Sequence, residues 1–251
     1  MNRDKHITIE VQTHDKTRLK EAKNLRCLDD EDKSTRSPIV LSFLDTHTEL
    51  RRPVAKVGNG FKINFSAVDR RVGAGNLSKN QPLSKAIGQS NHTIIDATAG
   101  FCADALRLAL MGFQVTAIER SPVISVLLRD GIRRAKEDNK LWVALENRLQ
   151  IIESDSISFL QEPREIDVIY LDPMFPVKKK SSPLPPGHIQ LLSQIVGCDF
   201  DANQLFDVAC NTSANRIVVK RPHHATPMGD SPVAVHMGKQ VRYEVYHPVG
   251  K

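Results

Sequence analysis

Three acidic residues close apolar runs that read as strands: Asp96 in HTIID, Glu119 in FQVTAIE and Asp172 in DVIYLD. In an open α/β sheet the strand ends converge on one crevice, so three carboxylates are expected at one site. The stretch D-A-T-A-G opens at Asp96 and turns through Gly100, where the missing Cβ lets backbone approach a ligand closely. Glu119, at the end of the next strand, can accept hydrogen bonds from both ribose hydroxyls of a nucleoside. A dinucleotide-dependent dehydrogenase also uses an acid in that place. The loop separates the two readings. GFCADA is not G-x-G-x-x-G and offers no glycine-lined nest for a pyrophosphate. A nucleoside ligand without phosphates suits it better than NAD.

The segment Y-L-D-P-M-F-P, residues 170–176, places a carboxylate, a rigid turn and an aromatic ring directly after an apolar strand. It resembles the [DNS]-P-P-[YF] signature of methyltransferases that act on planar amino groups. The chemistry explains the pattern. The lone pair of a base amino group is delocalised into its ring, which makes it a poor nucleophile. Hydrogen bonds from its two N–H groups to Asp172 and to the Pro173 carbonyl favour a tetrahedral nitrogen and aim the lone pair. Phe175 can stack on the base and hold it in line. The methyl donor S-adenosylmethionine carries a ribose and no phosphate, in agreement with the first loop.

Other polar residues fall around the same crevice. Asp155 and Ser156 follow the third strand, where a side chain can meet an adenine edge, cap the next helix, or do both. Lys178, Lys179 and Lys180 come soon after Phe175, and Lys220 ends RIVVK with Arg221 next to it, all placed to reach phosphates beside a flipped base. Arg70 and Arg71 open a polar, basic stretch that reads either as a solvated linker or as a segment near the substrate. His223 and His224 are adjacent, not at metal spacing, and no metal site is expected.

These residues need a scaffold. From His92 onward strands and helices alternate, which predicts an open, mostly parallel α/β sheet. Taken with the resemblance of D-P-M-F to the amino-methyltransferase signature, this implies a Rossmann-like class I methyltransferase fold. SPVISVLLRDGIRRAKEDN reads as a helix with Ser121 as N-cap and Pro122 at its first position. Helices are also expected near HIQLLSQIVG and DANQLFDVACNT. PVAVHM and VRYEVYHPV lie too close for a helical crossover and are expected to pair as a C-terminal antiparallel hairpin. Upstream, HITIEVQT alternates as a strand, KTRLKEAKNLRCL has helical spacing, and IVLSFL and GFKINFSAV read as two more strands. The predicted organisation is a small N-terminal α+β cap over 1–68, a basic linker segment over 69–91 and the methyltransferase domain over 92–251.

Composition sets the outer bounds. The 251 residues are 40% hydrophobic and 25% charged, ordinary for a soluble globular chain. No apolar run approaches the ~20 residues of a membrane span, and the N-terminus lacks a signal-peptide pattern, so a cytoplasmic location is expected. The four cysteines form no C-x-x-C pair, which predicts reduced thiols. Thirty-five basic against 29 acidic residues give +6, a balance that favours a polyanionic partner.

The sequence is similar to the bacterial small-subunit ribosomal RNA guanine-N2 methyltransferase family RsmJ. The resemblance rests on TELRR, DRRVGAGN with SKAIG, IIDATAG with Asp104 beyond it, IERSPV, the DVIYLDPMFPVKKKS block, VVKRP and the C-terminal strand pair. It covers roughly Glu49 to the end of the chain; the first 45 or so residues match only in layout. It implies methylation of the exocyclic N2 of a guanosine near the 3′ end of 16S rRNA, with small-subunit rRNA as partner and no obligate protein partner. It further implies that S-adenosylmethionine lies against Ala103, Asp104, Glu119, Arg120, Asp155, Ser156 and Asp172. Asp96 and Gly100, read from the strand end and the loop after it, complete the expected cofactor site. One departure stands out. The family reads G-x-G-R-D in the first loop, where this chain reads Gly100-Phe101-Cys102-Ala103-Asp104. Rival readings are a catalytically silent RNA-binding or assembly factor on the same scaffold, and an amino-methyltransferase acting on another nucleic acid.

Overall fold

The computed structural model describes residues 7–26, 39–71, 75–174, 187, 195 and 200–250. The chain opens with β1 (Ile7–Gln12), α1 (Lys16–Arg26), β2 (Ile39–Leu44) and β3 (Thr48–Arg51), followed by the short helix α2 (Pro82–Ile87). Alternation then sets in: β4 (Thr93–Asp96), α3 (Ala103–Leu110), β5 (Gln114–Glu119), α4 (Pro122–Ala135), α5 (Asn139–Leu145), β6 (Leu149–Glu153), α6 (Ser156–Gln161) and β7 (Val168–Leu171). The last elements are α7 (Ala202–Cys210), β8 (Arg216–Pro222), β9 (Ala234–Met237) and β10 (Val241–Tyr246). Among the described residues no helix is long and apolar enough to cross a membrane.

The main sheet runs β6-β5-β4-β7-β8-β10-β9. Its first five strands are parallel, and β10 pairs antiparallel with both β8 and β9. The chain moves outward from β4 through β5 to β6, then crosses back to lay β7 on the other side of β4. That reversal is a topological switch point, and it opens a crevice beyond the carboxyl ends of β4 and β7. Asp96 and Asp172 are therefore brought to one place by topology.

Both faces of this sheet are covered, as a parallel sheet requires. Ile94, Val168 and Tyr170 join a cluster with α3 and α4, whereas Ile95, Ile169 and Leu171 join one with α6 and α7. Ser121 accepts from the Ile124 amide and Pro122 starts α4, the expected N-terminus. The helix stops at Ala135. Asp138 then accepts from the Leu141 amide and starts α5, a second helix over a stretch for which the sequence predicts no element.

β1, β2 and β3 form a separate three-stranded sheet, with β1 and β2 parallel and β2 and β3 antiparallel. Leu41, Phe43 and Leu50 from it share one apolar cluster with Ile124 and Leu127 of α4. The expected strand over GFKINFSAV is not formed. Phe61 makes an isolated bridge to Leu50, and residues Phe65–Ala67 turn as a 3-10 helix capped by the Asn64 side chain. Ile63 and Phe65 do point inward, so the period-two pattern reports burial here, not sheet pairing. The stretch expected as a basic linker buries Leu77, Leu83, Ala86 and Ile87, and α2 packs on β9 and β10. Of the helix expected near HIQLLSQIVG, Ile195 is helical and buried, and its other residues lie outside the described ones.

Candidate active site

A cleft of about 430 Å³ lies at the switch point, within the range of small-molecule sites. Asp96, Gly100, Ala103, Asp104, Glu119, Arg120, Asp155, Ser156, Asp172 and Pro173 all line it, so the tertiary structure gathers these sequence-predicted residues. Phe175, Lys178, Lys179 and Lys180 lie outside the described residues.

Glu119 stands at the end of β5 with its carboxylate pinned by two backbone donors. The Gly100 amide donates to Oε2 at 2.9 Å and the Ser121 amide to Oε1 at 2.7 Å. Glu119 also lines the cleft, where a carboxylate can accept from ribose hydroxyls. Asp155 accepts from the Ser158 amide at 2.8 Å and thus caps α6 while facing the cleft. Ser156 donates to the Ala97 carbonyl at 2.6 Å, tying α6 to the loop after β4. Arg120 reaches Asp201, at the start of α7, at 2.7 Å, and both line the cleft.

The second half of the site is a charge cluster. Lys220, on β8, donates to Asp104 at 2.7 Å and to Asp172 at 2.8 Å. Tyr170, fully buried on β7, donates its hydroxyl to the same Asp104 oxygen at 2.8 Å, and Arg107 meets the other at 3.0 Å. Burial of Lys220 opposes its charge, but Asp172 and Asp104 outweigh it and hold the ammonium well above the ordinary lysine range. Burial likewise opposes the charge of Asp104, and Lys220, Tyr170 and Arg107 overcome it, so that carboxyl sits below its ordinary value. Among the described residues no cation is in contact with Asp96 in this way. Burial pushes it up to about 7, reinforced by repulsion from Asp104 and Asp172 and opposed by its bond from the Thr98 amide.

Thr98 and Tyr170 were not singled out from the sequence. The Thr98 hydroxyl accepts from the Asp172 amide at 2.6 Å and fixes the backbone at the start of the D-P turn. Tyr170 carried one signal, since a hydroxyl in a wholly buried strand has to find a partner. Two expected RNA contacts, Lys220 and Arg221, line the cleft and are engaged by other protein groups. Lys220 is held on the carboxylates, and Arg221 is buried with its guanidinium on the Thr226 carbonyl and the Met228 sulfur. Arg70 and Arg71 are at the surface, the first on Asp138 at 2.8 Å and the second on Asp69 at 2.6 Å.

The altered first loop keeps a glycine-like course. Cys102 has φ 62° and ψ 25°, the left-handed region, and is fully buried. Burial, then the nearby Asp96 and Glu119, push its thiol well above the ordinary range. The set of side chains lining the cleft is acidic, with Asp96, Asp104, Glu119, Asp155, Asp172 and Asp201 among them. It fits S-adenosylmethionine, whose sulfonium is a cation.

Comparison with known proteins agrees with this chemistry. Residues 21–248 match the family described as "Putative SAM-dependent methyltransferase". Ribosomal RNA small subunit methyltransferase J of Coxiella burnetii (strain RSA 331 / Henzerling II) is 38% identical over 221 residues, which cover 85% of each chain. The protein of that name from Buchnera aphidicola subsp. Acyrthosiphon pisum (strain APS) is 38% identical over 175 residues, 68% of this chain and 71% of the relative. A crystal structure of a SAM-dependent methyltransferase from Neisseria gonorrhoeae superposes with a TM-score of 0.69 at 24% identity, over 98% of this chain and 96% of that one. The last likeness is one of fold.

Proposed function

Because the chain belongs to the SAM-dependent methyltransferase family matched over residues 21–248, we propose that it methylates the exocyclic N2 amine of a guanosine in 16S rRNA. The observation that carries the reading is Asp172-Pro173 at the end of β7, in one cleft with Glu119. The names of the two curated relatives support small-subunit rRNA as the substrate, and with it a cytoplasmic place of work. We assign 1–68 as a cap, 69–91 as a connecting segment and 92–251 as the catalytic domain.

S-adenosylmethionine, when bound, supplies an electrophilic methyl on a sulfonium sulfur. Glu119 would hold the ribose, Asp155 and Ser156 the adenine side, and Ala103, Asp104 and Arg120 the remainder. Asp172 and the Pro173 carbonyl accept the two N–H bonds of the target amine and turn its lone pair toward the methyl. Phe175 stacks on the base. With the donor bound, the lone pair aimed by Asp172 and Pro173 would take the methyl carbon, and the sulfur would keep the electron pair of the bond it gives up. The nitrogen becomes acidic as it gains the methyl, and its proton passes to solvent without a strong base. Lys220 keeps Asp172 oriented throughout.

Two measurements test this. Mass spectrometry of 16S rRNA fragments from a strain lacking the gene should show one guanosine short of a methyl group; identical masses would remove the substrate assignment. Single-turnover methylation by Asp172→Asn should be slower by about two to three orders of magnitude, the usual size for losing one preorganised electrostatic group. The variant should keep its melting temperature and cofactor affinity. Near-normal rates would place the chemistry elsewhere.

A further inference from the structure

The stretch after β3 carries surface charge of one sign. From position 50 to 68 the chain holds Arg51, Arg52, Lys56 and Lys62 and no acidic residue. Arg51 is buried, whereas Arg52, Lys56 and Lys62 are exposed, and Val54 is 93% exposed at the loop tip.

Buried charges hold this exposed loop in one shape. Glu49, wholly buried, accepts from the Gly58 amide at 2.8 Å and the Gly60 amide at 2.7 Å. Arg51 donates to the carbonyls of Arg52, Pro53 and Ala55 at 3.4, 3.3 and 3.2 Å. Two backbone bonds between Leu50 and Phe61, at 2.8 and 2.7 Å, close the base. A Cβ at position 60 would stand 2.7 Å from the Glu49 carboxyl carbon, so only glycine allows this approach. Burying a carboxylate and a guanidinium is unfavourable unless each is fully paired, and a plain solvated turn needs neither. What the arrangement achieves is a loop ordered in advance, which lowers the entropy lost on binding.

The loop also adjoins the active site. The Phe61 ring lies 4.5 Å from the ring of Phe101, and Phe101 lines the cleft. We propose that the loop over residues 52–62 is a preorganised docking surface for the phosphate backbone of the RNA substrate, beside the cleft mouth. Arg52, Lys56 and Lys62 are its phosphate contacts, and strand flanking the target base lies across them. This rests on the reading of RNA as the substrate.

The test compares two charge-reversed triple variants for binding to an unmethylated 16S rRNA transcript across a salt series. Arg52→Glu/Lys56→Glu/Lys62→Glu should raise Kd about tenfold or more and lower the log–log salt slope by about two, at ~0.7 per contact to single strands. Its melting temperature and S-adenosylmethionine affinity should stay as in the wild type. The control reverses Lys16, Lys20 and Lys23, exposed on α1, with the same change in net charge. Equal weakening by both triples would assign the effect to net charge and overturn the docking surface, as would a loop variant with wild-type affinity and slope. A wild-type protein without affinity for the transcript would overturn the substrate reading and this surface together.

Discussion

Lys220 bridges two carboxylates, Asp104 at the start of α3 and Asp172, the proposed acceptor for the amine. One cation thus joins the two halves of the cleft, and its loss leaves two like charges facing each other with Asp96 close by. A charge-assisted hydrogen bond contributes about 1.5–3 kcal/mol, so Lys220→Met should lower kcat by roughly 10- to 100-fold. Without the ammonium the carboxylate pair holds a proton to higher pH. Because a carboxylate is a stronger acceptor than a carboxylic acid, the role proposed for Asp172 predicts that the acidic limb of the rate profile moves upward in pH. Lys220→Arg should restore part of the rate. An unchanged kcat with a raised KM for RNA and a weaker salt slope would mean that Lys220 contacts phosphate after all. Residue identity in the sequence marked Lys220 as close to substrate, but not which protein groups engage it. That depends on β8 lying beside β7, a long-range pairing.

At the scale of elements, the loop from β4 into α3 decides how the cofactor is approached. Cys102 stands at the N-cap of α3 in the left-handed region without a side-chain cap bond. A residue with a Cβ is held there at a cost of about 1–3 kcal/mol, offset here by full burial of the thiol. Cys102→Gly removes the strain and the packing together, so its stability should stay within about 1 kcal/mol of wild type, a few degrees in melting temperature. Cys102→Val introduces a β-branched residue where positive φ is most strained. It should lose more than about 2 kcal/mol and bind S-adenosylmethionine more weakly by calorimetry. A valine variant as stable as wild type would refute the left-handed turn. The departure from the family's G-x-G-R-D is readable in the sequence; that the backbone keeps a glycine's conformation is not.

Across the whole molecule, α4 ties the N-terminal sheet to the catalytic one. Asp130, wholly buried on α4, accepts from Arg18 of α1 at 3.0 Å and from Arg134 at 2.9 Å. Arg18 also donates to the Asp45 carbonyl at 2.8 Å and Arg134 to the Ile63 carbonyl at 2.5 Å. Removing one partner of a buried pair leaves its mate uncompensated, so Asp130→Asn should cost about 3–5 kcal/mol in denaturant unfolding at neutral pH. Burial raises the Asp130 pKa, but Arg134, the Thr48 amide and Arg18 together hold it below the ordinary value. A carboxyl with a depressed folded pKa stabilises above its unfolded value, about 3.9, and that contribution is lost as pH falls through the folded value. The gap between wild type and variant should therefore narrow only in acid below about pH 4. A gap independent of pH would show that Asp130 acts by shape and not by charge. The sequence by itself determined the strand-end acids, the D-P-M-F block, the alternation of strands and helices and the C-terminal hairpin, because each is local in periodicity or spacing. Only the tertiary structure decided that GFKINFSAV turns away after one bridge, that the basic linker is packed, that Lys220 and Arg221 are engaged by other protein groups and that Arg51 and Glu49 brace an outer loop. Each of those depends on which distant element supplies a partner for a buried charge or an unpaired backbone group, and no local pattern encodes that.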